Sequence, residues 1–501
     1  MPAPASLVCE NAALWRRARG PLPNMNTSIA SISVAGTLPA QKIDASGIAR
    51  VDQRAVLALA LPLMANSTIQ IVLNLTDMWF IGHISTAALA GVAAVQWLVL
   101  VCVLILGGTA SSVQTLAAQA YGSRRYARAA RSAWIGLWAT LCAAPLFVLV
   151  GASGRLMLAP FGLSPEINTL ASDFWLPRVG GATFGVAVWG MLGFYNGIGR
   201  PRITLAITVV TTLANVALNY LFIFHLHWGV AGSGWATTVA QAMGLGLSLV
   251  LFLRQPFRDL YKSHVTWHPH WEPLRQQLKL GLPTGLLPAA DLLGISIFQM
   301  MQVRLSTVDG AATQMAMMLT SIAYMPGYGI ASAGTTLVGQ SIGAGDRSWA
   351  MRVGSRVILM TAVFMCGIGI LLAAIAPLLL PTFTGVHDAD AQAAVVLGGT
   401  LLWLAAIYQL FDGLNMGSGM CLRGAGDVVV PAALVIPVSW LLFVPLAHSL
   451  TFAPGQGWVS FLPQWGYGSV GGWAALVIYV MLLGTALCLR WRSGAWQRIN
   501  L

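Results

Sequence analysis

Apolar stretches of about 20 residues recur along the whole chain, with short polar segments between them. A stretch of that length is long enough to cross the hydrocarbon core of a membrane as a helix. Taken in order, the stretches predict about twelve crossings, which begin near residues 55, 88, 132, 171, 203, 231, 281, 312, 357, 394, 428 and 472. The pattern therefore predicts an all-α polytopic membrane protein.

Composition and charge agree with a membrane protein. Of the 501 residues, 57% are hydrophobic and only 8% are charged, against about 25% charged residues in soluble domains. With the N-terminus in the cytoplasm, all but three of the 27 Lys and Arg residues fall on the cytoplasmic side, the three being Arg155, Arg178 and Arg304. This asymmetry follows the positive-inside rule, with both termini cytoplasmic. The net charge of +12 is then explained by membrane orientation and lipid headgroups, and nucleic acid is not expected as a partner.

The polar segments divide the chain into four parts. Residues 1–50 are polar and rich in Pro, Ser and Ala, and we expect a disordered cytoplasmic leader. An N-lobe of six crossings occupies 51–253, a charged cytoplasmic linker 254–280, and a C-lobe of six crossings 281–501. The linker contains His264, His268 and His270. A solvated loop is the favoured interpretation over a surface metal site, because no fourth ligand is indicated.

The two halves carry an internal repeat. TLAAQAYGSRRYARAAR is followed 221 residues later by TLVGQSIGAGDRSWAMR, and further along the shift becomes 227. These shifts align Thr115 with Thr336, Gln119 with Gln340, Gly122 with Gly343, and Gly197 with Gly424. Because six crossings separate the copies, both enter the membrane from the same side. A parallel repeat implies a pseudo-two-fold axis along the membrane normal, with a cavity between the halves.

Four motifs carry a family resemblance: TDMWFIGHISTAALAGVA, QTLAAQAYGSRR, NGIGRPR and LRGAGD. In this order the chain closely resembles the multidrug and toxic compound extrusion (MATE) transporters, within them the NorM-like branch, from about residue 50 to 490. The resemblance implies two pseudo-symmetric six-helix bundles around a V-shaped cavity in a bacterial inner membrane. It also implies export of drugs and organic cations in exchange for Na⁺ or H⁺, by a monomer without any other cofactor and without enzymatic activity.

Three acids lie well inside predicted crossings, namely Asp77, Asp291 and Asp412. An acidic residue near the bilayer centre costs roughly 2.5–3.5 kcal/mol and usually faces a cavity, a cation or a proton pathway. In the N-lobe, Asp77 stands in the same motif as the acid of the NorM-like branch. Asn215 and Asn219 share one helix face by their i,i+4 spacing, and with Thr237 they offer oxygen atoms for a cation shell. The alternative is a hydrogen-bonded cluster that only joins helices.

In the C-lobe, Asp291 resembles an acid of the NorM-like members, which carry a Glu at this position. The Asp side chain of this protein is one methylene shorter. Asp412 matches the acid of the family's tenth crossing, and Tyr408 lies on the same helix face. These three groups can converge on one ion, whereas helix packing beside Gly413 and Gly417 is the alternative for Asp412. Tyr324, Tyr328, Met300 and Met301 are candidates for lining a substrate cavity, with simple packing as the alternative.

Two other functions remain open. A flippase or metabolite exporter of the same superfamily would share the fold, although three buried acids favour cationic cargo. A membrane-embedded enzyme would need a nucleophile with its base or a metal cluster within the membrane, and the sequence shows no Ser/His/Asp arrangement or HExxH motif. The sequence leaves the choice between Na⁺ and H⁺ open, as well as the lobe that binds the ion.

Overall fold

The computed structural model describes residues 38–499, apart from residues 45, 160–164 and 384–388. Most of the predicted leader, residues 1–37, therefore lies outside the described part of the chain. A short antiparallel hairpin, β1 (Gln41–Ile43) and β2 (Ala49–Val51), precedes the helices. The helices are α1 (Gln53–Gly82), α2 (Thr86–Ser111), α3 (Val113–Gly122), α4 (Tyr126–Ala152), α5 (Gly154–Leu158), α6 (Pro165–Gly180), α7 (Ala182–Gly197), α8 (Pro201–Tyr220), α9 (Gly229–Leu253), α10 (Phe257–Tyr261), α11 (Trp271–Leu305), α12 (Thr307–Gly343), α13 (Arg347–Ala374), α14 (Ala376–Leu379), α15 (Ala389–Ala425), α16 (Val429–Pro437), α17 (Val444–Thr451) and α18 (Gly468–Arg492). One π-helical segment, Leu221–His225, follows α8, and another, Val438–Phe443, joins α16 to α17.

Ten helical segments of the described chain are long and apolar enough to cross a membrane. Two further segments of comparable length alternate with them, the broken pair α6–α7 and the 37-residue helix α12. Each half of the broken pair has only 16 residues, and α6 carries Arg178. The helix α12 buries a row of hydroxyl and amide side chains against its neighbours. The predicted all-α polytopic class is confirmed, and the crossings follow the predicted order.

Each lobe has its own apolar core. The C-lobe core is built around Phe298, Met315, Leu401 and Trp473, and the N-lobe has separate clusters around Trp175 and around Phe194. The lobes meet where α1 packs on α12 and where α2 packs on α11. Apolar packing and hydrogen bonds therefore both join the two halves.

The repeat predicted from the sequence is visible as reciprocal contacts between the lobes. On one side, Thr115 and Gln119 of α3 donate to the backbone carbonyls of Arg423 and Gly424, each at 3.0 Å. On the other, the equivalent residues of α12 donate to the equivalent carbonyls: Thr336 to Asn196 at 3.0 Å and Gln340 to Gly197 at 2.8 Å. We call these four hydrogen bonds the interlobe clasp.

Two glycines allow the clasp to close. A methyl group at Gly122 would lie 2.0 Å from the carbonyl oxygen of Gln340, and one at Gly343 would lie 2.1 Å from that of Gln119. Glycine is therefore required on both helices where the backbones touch. The same geometry on both sides is the expected result of a parallel repeat.

Two predicted boundaries differ from the structure. The last part of the predicted leader is ordered, since the hairpin begins at Gln41 and an ion pair of 2.8 Å joins Arg50 to Asp44. The predicted linker ends too late, because α11 already begins at Trp271. The charged residues after Trp271 occupy the water-exposed end of this long helix, where charge costs little. In the described residues no group of three His, Cys, Asp or Glu side chains can hold a metal ion.

Candidate functional site

In the N-lobe, the four predicted side chains come together between α1, α8 and α9. Asn219 donates from Nδ2 to Oδ1 of Asp77 at 2.8 Å, and the hydroxyl of Thr237 lies 3.4 Å from Oδ2. Asn215 completes the group, because its Nδ2 donates to the Thr237 hydroxyl and its Oδ1 accepts from Asn219, both at 3.1 Å. The i,i+4 spacing on α8 thus places both amides beside one carboxylate. The contact is established, while the proposed role in ion coupling stays a prediction.

Arg178 lies in the same lobe, two residues before α6 ends at Gly180. It lines a cavity of about 180 Å³ together with Asn215 and Thr237, and it interacts electrostatically with Asp77. The sequence analysis counted Arg178 only as a basic residue off the cytoplasmic side and did not predict its position at this cavity. The glycine pair at residues 180 and 181 separates α6 from α7, and both halves are helical.

In the C-lobe, two carboxylates lie near one another inside the bundle. The Tyr479 hydroxyl of α18 donates to Oδ1 of Asp291 on α11 at 2.5 Å. Asn415 of α15 lies 3.4 Å from Oδ1 of Asp412, which is only 5% exposed. The other carboxylate oxygen of Asp412, Oδ2, is buried and has no hydrogen-bond partner in the described chain. Such an orphaned acceptor is costly unless a proton or a cation occupies it.

Within the described part of the chain, no Lys or Arg side chain forms an ion pair with either C-lobe acid. Asp412 interacts with Asp291 and with Tyr408, while the convergence of these three groups on one ion stays a prediction. Tyr324 interacts with both carboxylates. In the described residues, the two ion pairs of the protein, Arg50–Asp44 and Arg490–Asp427, involve neither acid. The C-lobe site is therefore a negative site without a cationic side chain to balance it.

The residues predicted to line a substrate cavity divide into two groups. Tyr324 and Tyr328 are partly exposed on α12, and Met300 is 58% exposed on α11. Their contact with a substrate stays a prediction. Met301 is only 1% exposed and packs in the C-lobe core with Phe298. The prediction for Met301 is wrong, because adjacent residues on a helix point about 100° apart and Met301 takes the inward direction.

Several polar residues of the sites escaped the sequence-based prediction. The N-lobe cavity is also lined by amide side chains, which are Gln70, Asn74, Gln96 and Gln241. In the C-lobe, Tyr479 and Asn415 contact the two acids. A signal was present for the amides, since an amide inside a membrane crossing needs a polar partner. A tyrosine in an apolar helix gives no comparable signal, because it also occurs in ordinary packing.

Chemically, each lobe contains a carboxylate among polar groups, and a carboxylate of this kind can bind a small cation or a proton. A carboxylate that binds an ion on one side of the membrane and releases it on the other requires access to both sides, which two lobes meeting at an interface can provide. Fold and site thus define a class: a polytopic membrane transporter built from two related helical lobes, each with an acidic polar centre.

Comparison with known proteins identifies the family. The sequence profile of the MatE family matches residues 62–221 and 293–448, which is more than half of the chain. The chain belongs to this family of membrane transporters and is not an enzyme. Among curated relatives, the probable multidrug resistance protein NorM of Rhizobium meliloti (strain 1021) is 27% identical over 446 residues, which cover 88% of this chain and 92% of the relative. The protein of the same description from Rhodopseudomonas palustris is 30% identical over 475 residues, or 90% and 96% of the two chains.

Solved structures agree on the fold. A structure described as MATE in the straight conformation has a TM-score of 0.75 at 18% identity, covering 89% of this chain and 96% of the other. The eukaryotic MATE transporter AtDTX14 also has a TM-score of 0.75, at 16% identity and with coverage of 88% and 97%. The similarity therefore extends over nearly the whole of both lobes.

Proposed function

We propose that the protein is a secondary active exporter of multiple organic compounds, mostly cationic, driven by inward movement of Na⁺ or H⁺. The NorM relatives are described as probable multidrug resistance proteins, and they align over almost their full length. We place the protein in the bacterial inner membrane with both termini in the cytoplasm, as the distribution of Lys and Arg favours. This orientation puts the interlobe clasp near the cytoplasmic face, next to Arg124 and Arg125.

The observation that carries the proposal is the pair of uncompensated acids in the C-lobe. Asp412 is buried, one of its oxygens has no partner, and Asp291 lies close enough to interact with it electrostatically. Two neighbouring carboxylates inside a membrane are expensive unless a cation or a proton is shared between them. Na⁺ and H⁺ both meet this need, and either would compete with a cationic compound for the same negative site.

The N-lobe differs in charge. Asp77 has both oxygens within hydrogen-bonding range of polar partners, and Arg178 supplies a positive charge nearby. The free energy of cation binding is therefore expected to be less favourable at Asp77 than between Asp291 and Asp412. This contrast supports the C-lobe as the main coupling site, with Asp77 held by polar side chains beside the N-lobe cavity.

Transport by this arrangement requires the lobes to open alternately to each side. The interlobe clasp joins α3 to α15 and α12 to α7 at one end of the interface. Opening at that end must break its hydrogen bonds, and opening at the other end can leave them intact. The clasp is thus the contact that we expect to form and break during each cycle.

The test is efflux of a fluorescent organic cation from proteoliposomes under separately imposed Na⁺ and pH gradients. One charge that crosses 100 mV supplies about 2.3 kcal/mol, enough for roughly a fortyfold concentration gradient. We expect Asp291→Asn and Asp412→Asn to lose gradient-driven efflux. Asp390→Asn is the matched control, because Asp390 is an exposed acid on the same helix as Asp412. Full gradient-driven efflux by both C-lobe variants would refute the proposal.

A further inference from the structure

The cavity of the N-lobe contains a guanidinium group that the coupling reaction does not use. Arg178 faces this space of about 180 Å³, whose lining combines amide and hydroxyl groups with aliphatic side chains and the indole ring of Trp189. No carboxylate of the described chain forms an ion pair with Arg178 within 4.0 Å. A positive charge inside a membrane protein, without an ion pair and facing a cavity, is a functional candidate by default.

Two more polar groups of the cavity lack partners. Oε1 of Gln241 and the hydroxyl of Thr212 are buried at the lining and have no hydrogen-bond partner in the described chain. The hydroxyl can donate a hydrogen bond, and the amide oxygen can accept one. Together with Arg178, the cavity therefore presents two donors and one acceptor that a guest molecule can satisfy.

The charges within the cavity limit which guest is favoured. Asp77 and Arg178 interact electrostatically, so the pair is neutral overall when Asp77 is ionised. When a proton or a cation occupies Asp77, the charge of Arg178 is left unbalanced. In neither state does the pair give the cavity a net negative charge that would attract a simple cation. A guest with a carboxylate meets Arg178 in both states.

We propose that this cavity binds the carboxylate end of zwitterionic organic molecules and that Arg178 is the residue that recognises it. The inference rests on the proposed function for the view that the cargo is a small organic molecule, and it adds a carboxylate to the chemistry of that cargo. Arginine suits the task because its guanidinium can donate two parallel hydrogen bonds to one carboxylate. The volume is below the roughly 300–1,000 Å³ of complete drug sites, so the cavity takes one substituted ring and leaves the rest of a larger cargo outside.

The test uses two probes that share an aromatic ring and an amine and differ in one group. Para-(aminomethyl)benzoate carries a carboxylate, and its methyl ester does not. Binding of each radiolabelled probe to the purified full chain is measured by equilibrium dialysis. We expect the wild type to bind the acid more tightly than the ester by about tenfold to a hundredfold, the range typical of a charged hydrogen-bonded pair. Arg178→Gln should bind both probes equally, and Arg178→Lys should keep part of the preference.

The control variant is Arg304→Gln, which removes an exposed guanidinium far along the chain from the cavity. It should keep the full preference for the acid. Binding of the ester by Arg178→Gln shows that this variant is folded. If Arg178→Gln binds neither probe, the test depends on whether Arg178→Lys still prefers the acid over the ester. Equal binding of acid and ester by the wild type, or an unchanged preference in Arg178→Gln, would overturn the proposal, as would loss of the preference in Arg178→Lys when Arg178→Gln binds nothing. Since dialysis involves no ion gradient, these results are independent of the efflux test of the proposed function.

Discussion

Adding a single methyl group at Gly122 should force the interlobe clasp open. In Gly122→Ala the new carbon would lie 2.0 Å from the carbonyl oxygen of Gln340, whereas an ordinary contact begins near 3.4 Å. The two helices must then separate by about 1.4 Å. The hydrogen bond from Gln340 to Gly197 is 2.8 Å long, and such a displacement takes it beyond bonding range.

The four hydrogen bonds of the clasp set the size of the expected free-energy change between the closed and open arrangements. Hydrogen bonds between helices inside membrane proteins contribute about 0.6 kcal/mol each on average. Losing the whole clasp therefore shifts the balance between the closed and open arrangements by roughly 2 kcal/mol, or about thirtyfold. Gly343→Ala should have a similar effect, because its methyl group would meet the equivalent carbonyl at 2.1 Å.

Distances between spin labels measure the separation directly. Cysteines at positions 123 and 344 mark equivalent exposed sites at the ends of α3 and α12, in a background without the six native cysteines. We expect both glycine variants to convert a short distance into a longer one. Gly246→Ala is the matched control, because nothing lies within 4 Å of its methyl group. Unchanged distances in Gly122→Ala and Gly343→Ala, or an equal change in Gly246→Ala, would refute the reasoning.

Three further predictions concern single contacts. Tyr479→Phe removes the hydroxyl that donates to Asp291, and the half-saturating concentration of the coupling ion in efflux assays should change by about tenfold; an unchanged value would contradict a shared site. Asp427→Asn removes the charge that pairs with Arg490 at 2.8 Å. The free energy of unfolding in detergent should then fall by about 3 kcal/mol. An unchanged free energy of unfolding would contradict a stabilising role for this ion pair. At the start of α13, a serine hydroxyl and a backbone N–H hold the pKa of Asp346 below its ordinary value of 3.8; its contribution is complete above that pH and is lost as the pH falls through the lower folded value. Asp346→Ala should therefore cost about 1 kcal/mol near neutral pH and much less in strong acid, and a pH-independent cost would contradict this account.

The contacts that the sequence predicted well are those with a periodic or repeated signal. The i,i+4 spacing of Asn215 and Asn219 placed both amides on the face that meets Asp77. The internal repeat predicted equivalent positions in the two lobes, and Gln119 and Gln340 make equivalent contacts in the structure. Spacing along one helix and repetition along the chain can both be detected from the sequence alone, so predictions based on them require no knowledge of tertiary packing.

The features that escaped prediction depend on which side of a helix faces which neighbour. Arg178 was counted only as one of three basic residues off the cytoplasmic side, yet it lies near the end of α6 and lines the N-lobe cavity. Met301 was assigned to a cavity and lies in the core, since an apolar helix carries no pattern that distinguishes core from cavity. The contact between Tyr479 and Asp291 spans 188 positions of the chain, and local patterns cannot show it.

The central claim is that the C-lobe acids exchange an ion for a cargo molecule, and thermodynamic coupling must work in both directions. The most direct measurement is therefore the reverse reaction: an outward-directed gradient of an organic cation is imposed on proteoliposomes, and the opposing movement of Na⁺ or H⁺ is recorded. We predict ion movement against its own gradient in the wild type and in Asp390→Asn, and none in Asp412→Asn. Ion movement that persists unchanged in Asp412→Asn and Asp291→Asn would contradict the account.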